Sequence, residues 1–248
     1  MPHSPIKTIL WDLDGTLAVW KSLYIVKHVS SIYFSLLSSD FNSLKVILAV
    51  IRAYKRVLKN TGPYNNDALF NRTLSGTFHV SPSFIRQKTD EMLKSDELRK
   101  VVKEFVQPIP EGLKLVQLIA EKSALEQVVA TNPVMPSEFN RLRLEEAGYS
   151  SNLFKYITGT EEFYGQKKSV AFYHRLLAFI GLRPEECLMV GNDPLKDAVA
   201  KEAGIKVFLL NTKYLVKREN PNFNIPDGIG DYADLKKFIF NKGCSELR

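Results

Sequence analysis

Cysteine is scarce in this 248-residue chain, with Cys187 and Cys244 the only two. That is too few for a disulfide framework, and Cys187 lies in an apolar run where a buried thiol is the default. A reducing compartment fits, so the expected location is cytoplasmic. Long apolar runs are missing as well. The longest doubtful patch, Leu23 to Ile51, is broken by Lys27, Asp40 and Lys45 and falls short of a bilayer's thickness. No secretory segment is expected behind Met1 to Lys7, because Asp12 and Asp14 interrupt the one apolar candidate. Internal repeats and low-complexity tracts are absent. These absences argue against a disulfide scaffold, a membrane partner and a fibrous chain, and leave a globular monomer or homodimer.

Acidic residues are scarce in one segment only. Residues 18–108 hold 14 Lys and Arg against 7 Asp and Glu, while the rest of the chain is balanced at 20 against 20, so the whole net charge of +7 lies in that segment. Solubility alone explains such an excess as readily as function does. A functional reading is an anionic substrate or partner, with Arg52, Lys55 and Arg56 facing a second anionic group. Nucleic acid is not expected, since the basic residues are scattered and no recognition module is visible.

With 45% hydrophobic residues, the chain can bury a proper core. Ile6 to Trp11 reads as a buried strand. From Trp20 to Gln107 the pattern is helical throughout, over Leu23–Leu37, Ser43–Lys59, Asn66–Thr77 and, in at least two pieces, Pro82–Phe105. Ser43 is the expected cap of a helix whose apolar set is Leu44, Ile47, Leu48, Ile51, Tyr54, Val57 and Leu58. Ser81-Pro82 begins another in the way proline prefers. After Pro108-Ile109-Pro110-Glu111-Gly112 the chain alternates. Helices over 113–122, 137–147, 168–180 and 194–203 lead to strands over 127–131, 155–158, 187–191 and 205–210. Asn211 to Asp231 reads as a polar loop before a terminal helix at 232–240. Continuous apolar strands alternating with helices predict a parallel sheet covered on both faces, with ligands at the carboxyl ends of its strands.

What ends the first strand is chemically demanding. In Trp11-Asp12-Leu13-Asp14-Gly15-Thr16-Leu17 a continued strand would put Asp12 and Asp14 on one face. Like charges so close repel, and a hard divalent cation such as Mg²⁺, which prefers oxygen ligands and shares its sites with phosphates, would relieve them. A calcium loop also begins Asp-x-Asp, but it follows a helix and needs a Glu at its twelfth position. A surface turn needs no first Asp framed by Leu10, Trp11 and Leu13. Other strand ends bring Thr131 with Asn132, Gly159, and Asn192 with Asp193. Thr131 offers a hydroxyl and a backbone N–H, though an ordinary turn would use it too. Lys167 and Lys168 open a helix, where the macrodipole disfavours cations unless an anion is near. Asp193 and Asp197 stand one turn apart, so both can address one cation.

In these features the chain resembles the haloacid dehalogenase superfamily of phosphotransferases over nearly its whole length. The first family motif, Asp-x-Asp-Gly-Thr, stands at Asp12 to Thr16, and the second, a Thr closing a strand, at Thr131. The third is a lysine before a helix. Counting back from Tyr173 and Gly181 selects Lys167, and Lys168 stands where a proline is common. The fourth reads Gly191-Asn192-Asp193 with Asp197, Asn replacing the usual first acid. The resemblance implies a Rossmann-like α/β core over 1–17 and 109–248, with an all-helical cap over 18–108. It implies Asp12 as nucleophile, forming an aspartyl-phosphate, and Asp14 as acid and base. Thr131, Asn132 and Lys167 would hold the phosphoryl group. Mg²⁺ would be held by Asp12, Asp193, Asp197 and the main-chain carbonyl of Asp14. The substrate would be a small phosphorylated metabolite, with Trp20 and Lys21 nearest to choosing it. A phosphomutase and a non-catalytic protein that binds an acidic partner through its basic cap are the alternatives. Because dehalogenating relatives lack the second acid, Asp14 argues against dehalogenation.

Overall fold

A computed structural model of the chain describes residues 6–20, 22–217 and 224–241. Lys21 and Cys244 lie outside the described residues. The first strand, β1 (Thr8–Trp11), is wholly buried and sits in the middle of a sheet. It pairs in parallel with β4 (Glu126–Val129) on one side and β6 (Cys187–Gly191) on the other. Beyond these lie β5 (Tyr156–Ile157), then β7 (Lys206–Leu210) and β8 (Gly228–Gly230), giving the order β5-β4-β1-β6-β7-β8 with every pairing parallel.

The period-two alternation of these strands feeds two cores. Ile9, Trp11, Val129, Leu188 and Val190 pack toward α6 (Pro110–Lys122), α7 (Ser137–Glu146) and α9 (Tyr232–Asn241). Leu10, Val128, Met189 and Val207 pack on the other face against Phe172, Leu176 and Leu177 of α8 (Val170–Ile180). The helices therefore cover both faces, and the strand order reverses at β1. Its carboxyl end is the topological switch point where an open α/β sheet places its ligand.

Five helices form an insertion between β1 and the next core element. These are α1 (Ser22–Ser38), α2 (Ser43–Leu58), α3 (Asn66–Phe78), α4 (Pro82–Leu93) and α5 (Asp96–Phe105). The insertion is not helical to its ends. The chain enters through β2 (Ala18–Trp20) and leaves through β3 (Val106–Pro108), which pair antiparallel with Trp20 opposite Val106. Strands of three residues are too short for a period to show in the sequence.

Local chemistry explains where other boundaries moved. Asn42, not Ser43, caps α2: its Oδ1 accepts from the N–H groups of Leu44 (3.1 Å) and Lys45 (3.2 Å) while its own backbone is extended. Ser81 caps α4 as expected, accepting from Phe84 N at 3.2 Å. Residues 194–203 do not form one helix. Asp197 Oδ2 accepts from Asp193 N (2.7 Å) and Asp193 Oδ1 from Leu195 N (3.0 Å), and only a 3₁₀ stretch, Ala198–Ala203, follows. Such local side-chain bonds compete with the helical ladder. Within the expected loop at 211–231, β8 has two glycines in three residues and no apolar pattern. Among the described residues, no helix is long and apolar enough to cross a membrane.

Candidate active site

The chain leaves β1 with one more sheet bond, Asp12 N to Val190 O at 2.8 Å, and then turns sharply. Leu17 N and Ala18 N both donate to Leu13 O at 3.0 Å, and Gly15 N donates to Ala18 O at 2.8 Å. Gly15 makes the turn at φ +80°, and a Cβ there would lie 2.3 Å from Asn192 Nδ2. The Asn of the fourth motif thus packs on the first, and Thr16 Oγ1 donates to Asn192 Oδ1 at 3.3 Å. Tyr149 Oη donates to Leu17 O at 2.8 Å and Tyr232 Oη to Thr16 O. The turn is held by groups from α9, the α7–β5 connection and the end of β6.

The turn sends its two carboxylates to different partners. Asp12 is buried, with Oδ1 2.7 Å from the ammonium of Lys167. Lys167 is fully buried, and its Nζ also lies 2.5 Å from Asp197 Oδ1. Burial pushes the Asp12 carboxyl up to about 7; Lys167 opposes the rise, while the charges of Asp197 and Asp14 add to it. For Lys167 burial works against the charge, but Asp12 and Asp197 outweigh it and hold the ammonium above its ordinary value. Lys168 is exposed, so Lys167 is the lysine that reaches Asp12. Its backbone N–H donates to Asn132 Oδ1 at 3.0 Å, which ties the loop before α8 to the end of β4.

Thr131 is buried just beyond β4, and Thr158 at the end of β5 fixes its backbone. Thr158 Oγ1 accepts from Thr131 N and donates to Thr131 O, both at 2.9 Å. Asp193 is buried, with Oδ2 3.2 Å from Lys196 Nζ. Asp197 stands behind it with both oxygens engaged, one by Lys167 and one by Asp193 N. Asp12, Lys167 and Asp197 therefore form one connected group, to which the Asp197 bond joins Asp193.

The side chain of Asp14 is 42% exposed and pairs through Oδ1 with Arg143 Nη2 of α7. The Arg143 side chain is only 2% exposed, and its guanidinium lies over the Trp20 ring, 3.9 Å from the ring centre. Sequence patterns give no sign of this residue. Arg143 sits in the charged run Arg141 to Glu146, which reads as a solvated helix face, and its partner is 129 residues away.

Mg²⁺ takes only a few protein oxygens and keeps several waters. Among the described residues, no three His, Cys, Asp or Glu side chains gather as a cage of their own. Asp12 and Asp193 nevertheless supply two buried carboxylates, both hard oxygen donors, beyond the ends of the adjacent strands β1 and β6. Burial raises Asp12 and the neighbouring charges of Asp197 and Asp14 add to the rise, a cost that a cation would relieve; oxygen donors of this kind fit a water-rich Mg²⁺ and do not fit a soft metal.

Solved structures share the architecture. A 2-haloacid dehalogenase from Pseudomonas syringae superposes with a TM-score of 0.63 at 17% identity, covering 95% of this chain and 99% of that one. The HAD-hydrolase YfnB of Bacillus subtilis, bound to magnesium, gives 0.56 at 17% identity over 96% and 100%. A HAD phosphatase from Thermococcus onnurineus gives 0.57 at 16% over 95% and 98%. No curated protein matches the sequence. The family model of haloacid dehalogenase-like hydrolases matches residues 6–204, from the strand that carries Asp12 to the glycine behind Asp197, and the chain belongs to that family.

Proposed function

We propose that the chain is a Mg²⁺-dependent phosphatase of small phosphorylated metabolites, working through an aspartyl-phosphate on Asp12. The observation that carries this reading is the second acid, Asp14, held by a buried arginine at the rim of the site. A halide departs as a weak base and needs no proton. The alkoxide of a phosphate ester needs one, and Asp14 supplies it.

The Asp12 carboxylate attacks phosphorus as the ester oxygen departs with the proton of Asp14. Asp14, now a carboxylate, takes a proton from the water that attacks the aspartyl-phosphate. Phosphate leaves and Asp12 is restored. Lys167 neutralises the oxygens of the transferring group, and Thr131 and Asn132 hold them from the adjacent strand end. Asp197, turned wholly to Lys167 and Asp193, positions the lysine, which leaves Asp12, Asp193 and the Asp14 carbonyl to hold the metal. Bound there, Mg²⁺ supplies charge neutralisation between an anionic carboxylate and an anionic phosphate. The helical insertion acts as a cap that excludes water.

Phosphate release from 4-nitrophenyl phosphate in Mg²⁺ is the first measurement, and it should vanish in Asp12→Asn; persistent turnover would sink the assignment. Asp14→Asn should slow alkyl phosphates by ~10²–10⁴-fold and the nitrophenyl ester, with its weakly basic leaving group, far less. Halide release from a 2-haloacid is not expected.

A further inference from the structure

Helix α2 is packed with its larger apolar side chains outward. Leu44 is 65% exposed, Leu48 60% and Ile51 45%, with Ile47 and Tyr54 beside them, whereas the side it buries is made of Val46, Ala49, Ala53 and Val57. Five of the seven residues in the apolar set that the sequence assigns to this helix, all but Val57 and Leu58, therefore form its solvent face. At helical spacing the exposed residues make one row along the whole helix. Lys45, Arg52, Arg56 and Lys59 follow one flank of that row and Lys55 lies within it. No Asp or Glu occurs between Phe41 and Asn66. Toward its carboxyl end the row opens into a groove of ≈ 830 Å³ walled by Arg52, Lys55, Arg56, Lys59 and Arg72. None of Asp12, Asp14, Thr131, Lys167 or Asp193 lines it. The Arg72 guanidinium lies over the Tyr64 ring, 4.5 Å from its centre, at the groove wall. The dipole of α2 accounts for Lys55 and Arg56 in its last turn, but not for Arg52, Arg72 or the apolar row.

Charge decides between occupants. A second copy meeting this face across a two-fold axis would set its basic row against an identical one with no acid between. A soluble anion would satisfy the groove and leave Leu44, Leu48 and Ile51 in water. A surface with anionic headgroups over an apolar interior matches both halves of the face. We propose that α2 lies flat on an anionic phospholipid bilayer, its Leu44–Leu48–Ile51 row in the acyl boundary. Arg52, Lys55, Arg56, Lys59 and Arg72 then face the headgroup phosphates. The expectation of no membrane partner rested on the lack of a spanning segment, which does not bear on adsorption.

Cosedimentation of the full chain with two vesicle types tests this. The protein should pellet with equimolar phosphatidylcholine–phosphatidylglycerol vesicles, stay soluble with pure phosphatidylcholine, and be released by high salt. Leu48→Ser combined with Ile51→Ser, at exposed positions, should abolish pelleting without changing the thermal melt or the hydrolysis of a soluble aryl phosphate. Arg52→Glu with Arg56→Glu should weaken it by ~30-fold or more. Equal pelleting with both vesicles, no pelleting, or full pelleting of the serine variant would overturn the proposal. So would either of two results without vesicle binding: a dimer in sedimentation equilibrium that the serine variant dissolves, or a melt raised by inorganic phosphate alone. The thermal melt is read independently of catalysis, so an inactive enzyme that still pellets separates this proposal from the phosphatase assignment.

Discussion

At residue scale, Asp12 is a carboxyl whose burial works against its charge. Its carboxyl is raised to about 7 by burial, so the metal-free folded state holds a proton that the unfolded chain releases near 4. The sign follows: this group makes the fold less stable as pH climbs from roughly 4 to 7, and the loss is complete above that window. Thermal melts of metal-free protein should show that slope, and Asp12→Asn should flatten it. Mg²⁺ should raise the melt of the wild type at pH 8 and leave Asp12→Asn almost unmoved, because only a group that binds the folded state stabilises it. Arg143 gives a second outcome. Arg143→Met removes the partner of Asp14 without touching substrate, so it should reproduce the leaving-group signature of Asp14→Asn at reduced size, ~10-fold or more on alkyl phosphates with KM little changed. Asp12, Asp14 and Thr131 were legible because each closes or follows an apolar strand, and Lys167 because it is a cation at the start of a helix, where the macrodipole disfavours one. Arg143 was not, since a single sequence does not show which arginine of a charged helix turns inward.

Elements explain why some of the fold was legible and some was not. β1, β4, β6 and β7 are apolar runs bounded by turns, and the structure has them within a few residues of the expected spans. β2, β3 and β8 have three residues each, below the length at which any period registers, whereas β5 falls inside the strand expected at 155–158. Helix α2 had the right period and the wrong orientation, because periodicity identifies an apolar face without saying what covers it. Two substitutions test element positions. Asn42→Ala should cost ~1 kcal/mol in a denaturant melt, since it frees two N–H groups at the start of α2. Gly112→Ala should cost more and slow turnover: a Cβ there would lie 2.9 Å from Thr16 O, pressing the first turn of α6 against the catalytic turn. Rescue of that variant by a smaller neighbour is not available, because the obstructing atom is backbone.

At the scale of the whole molecule, the site is a meeting of strand ends at the one place where the sheet order reverses, with a helical insertion leaving from the same turn. Trp20 belongs to that exit and also carries the Arg143 guanidinium. The chain has only one other tryptophan, Trp11, buried in β1. Fluorescence of the wild type minus that of Trp20→Phe should therefore change when Mg²⁺ and orthovanadate fill the site, if the insertion moves as it closes. An unchanged difference spectrum would mean that the insertion stays still.

The antiparallel pairing of β2 with β3 has one more consequence. Because Trp20 faces Val106 across that ladder, the two ends of an insertion of more than eighty residues are already hairpin neighbours. Replacing everything between them with an Asn-Gly turn would close the ladder in a geometry that short hairpins favour. The shortened chain should fold, keep its sheet and accept a foreign insertion at the same seam. The sheet core is in that sense a socket, and the helical insertion a replaceable plug.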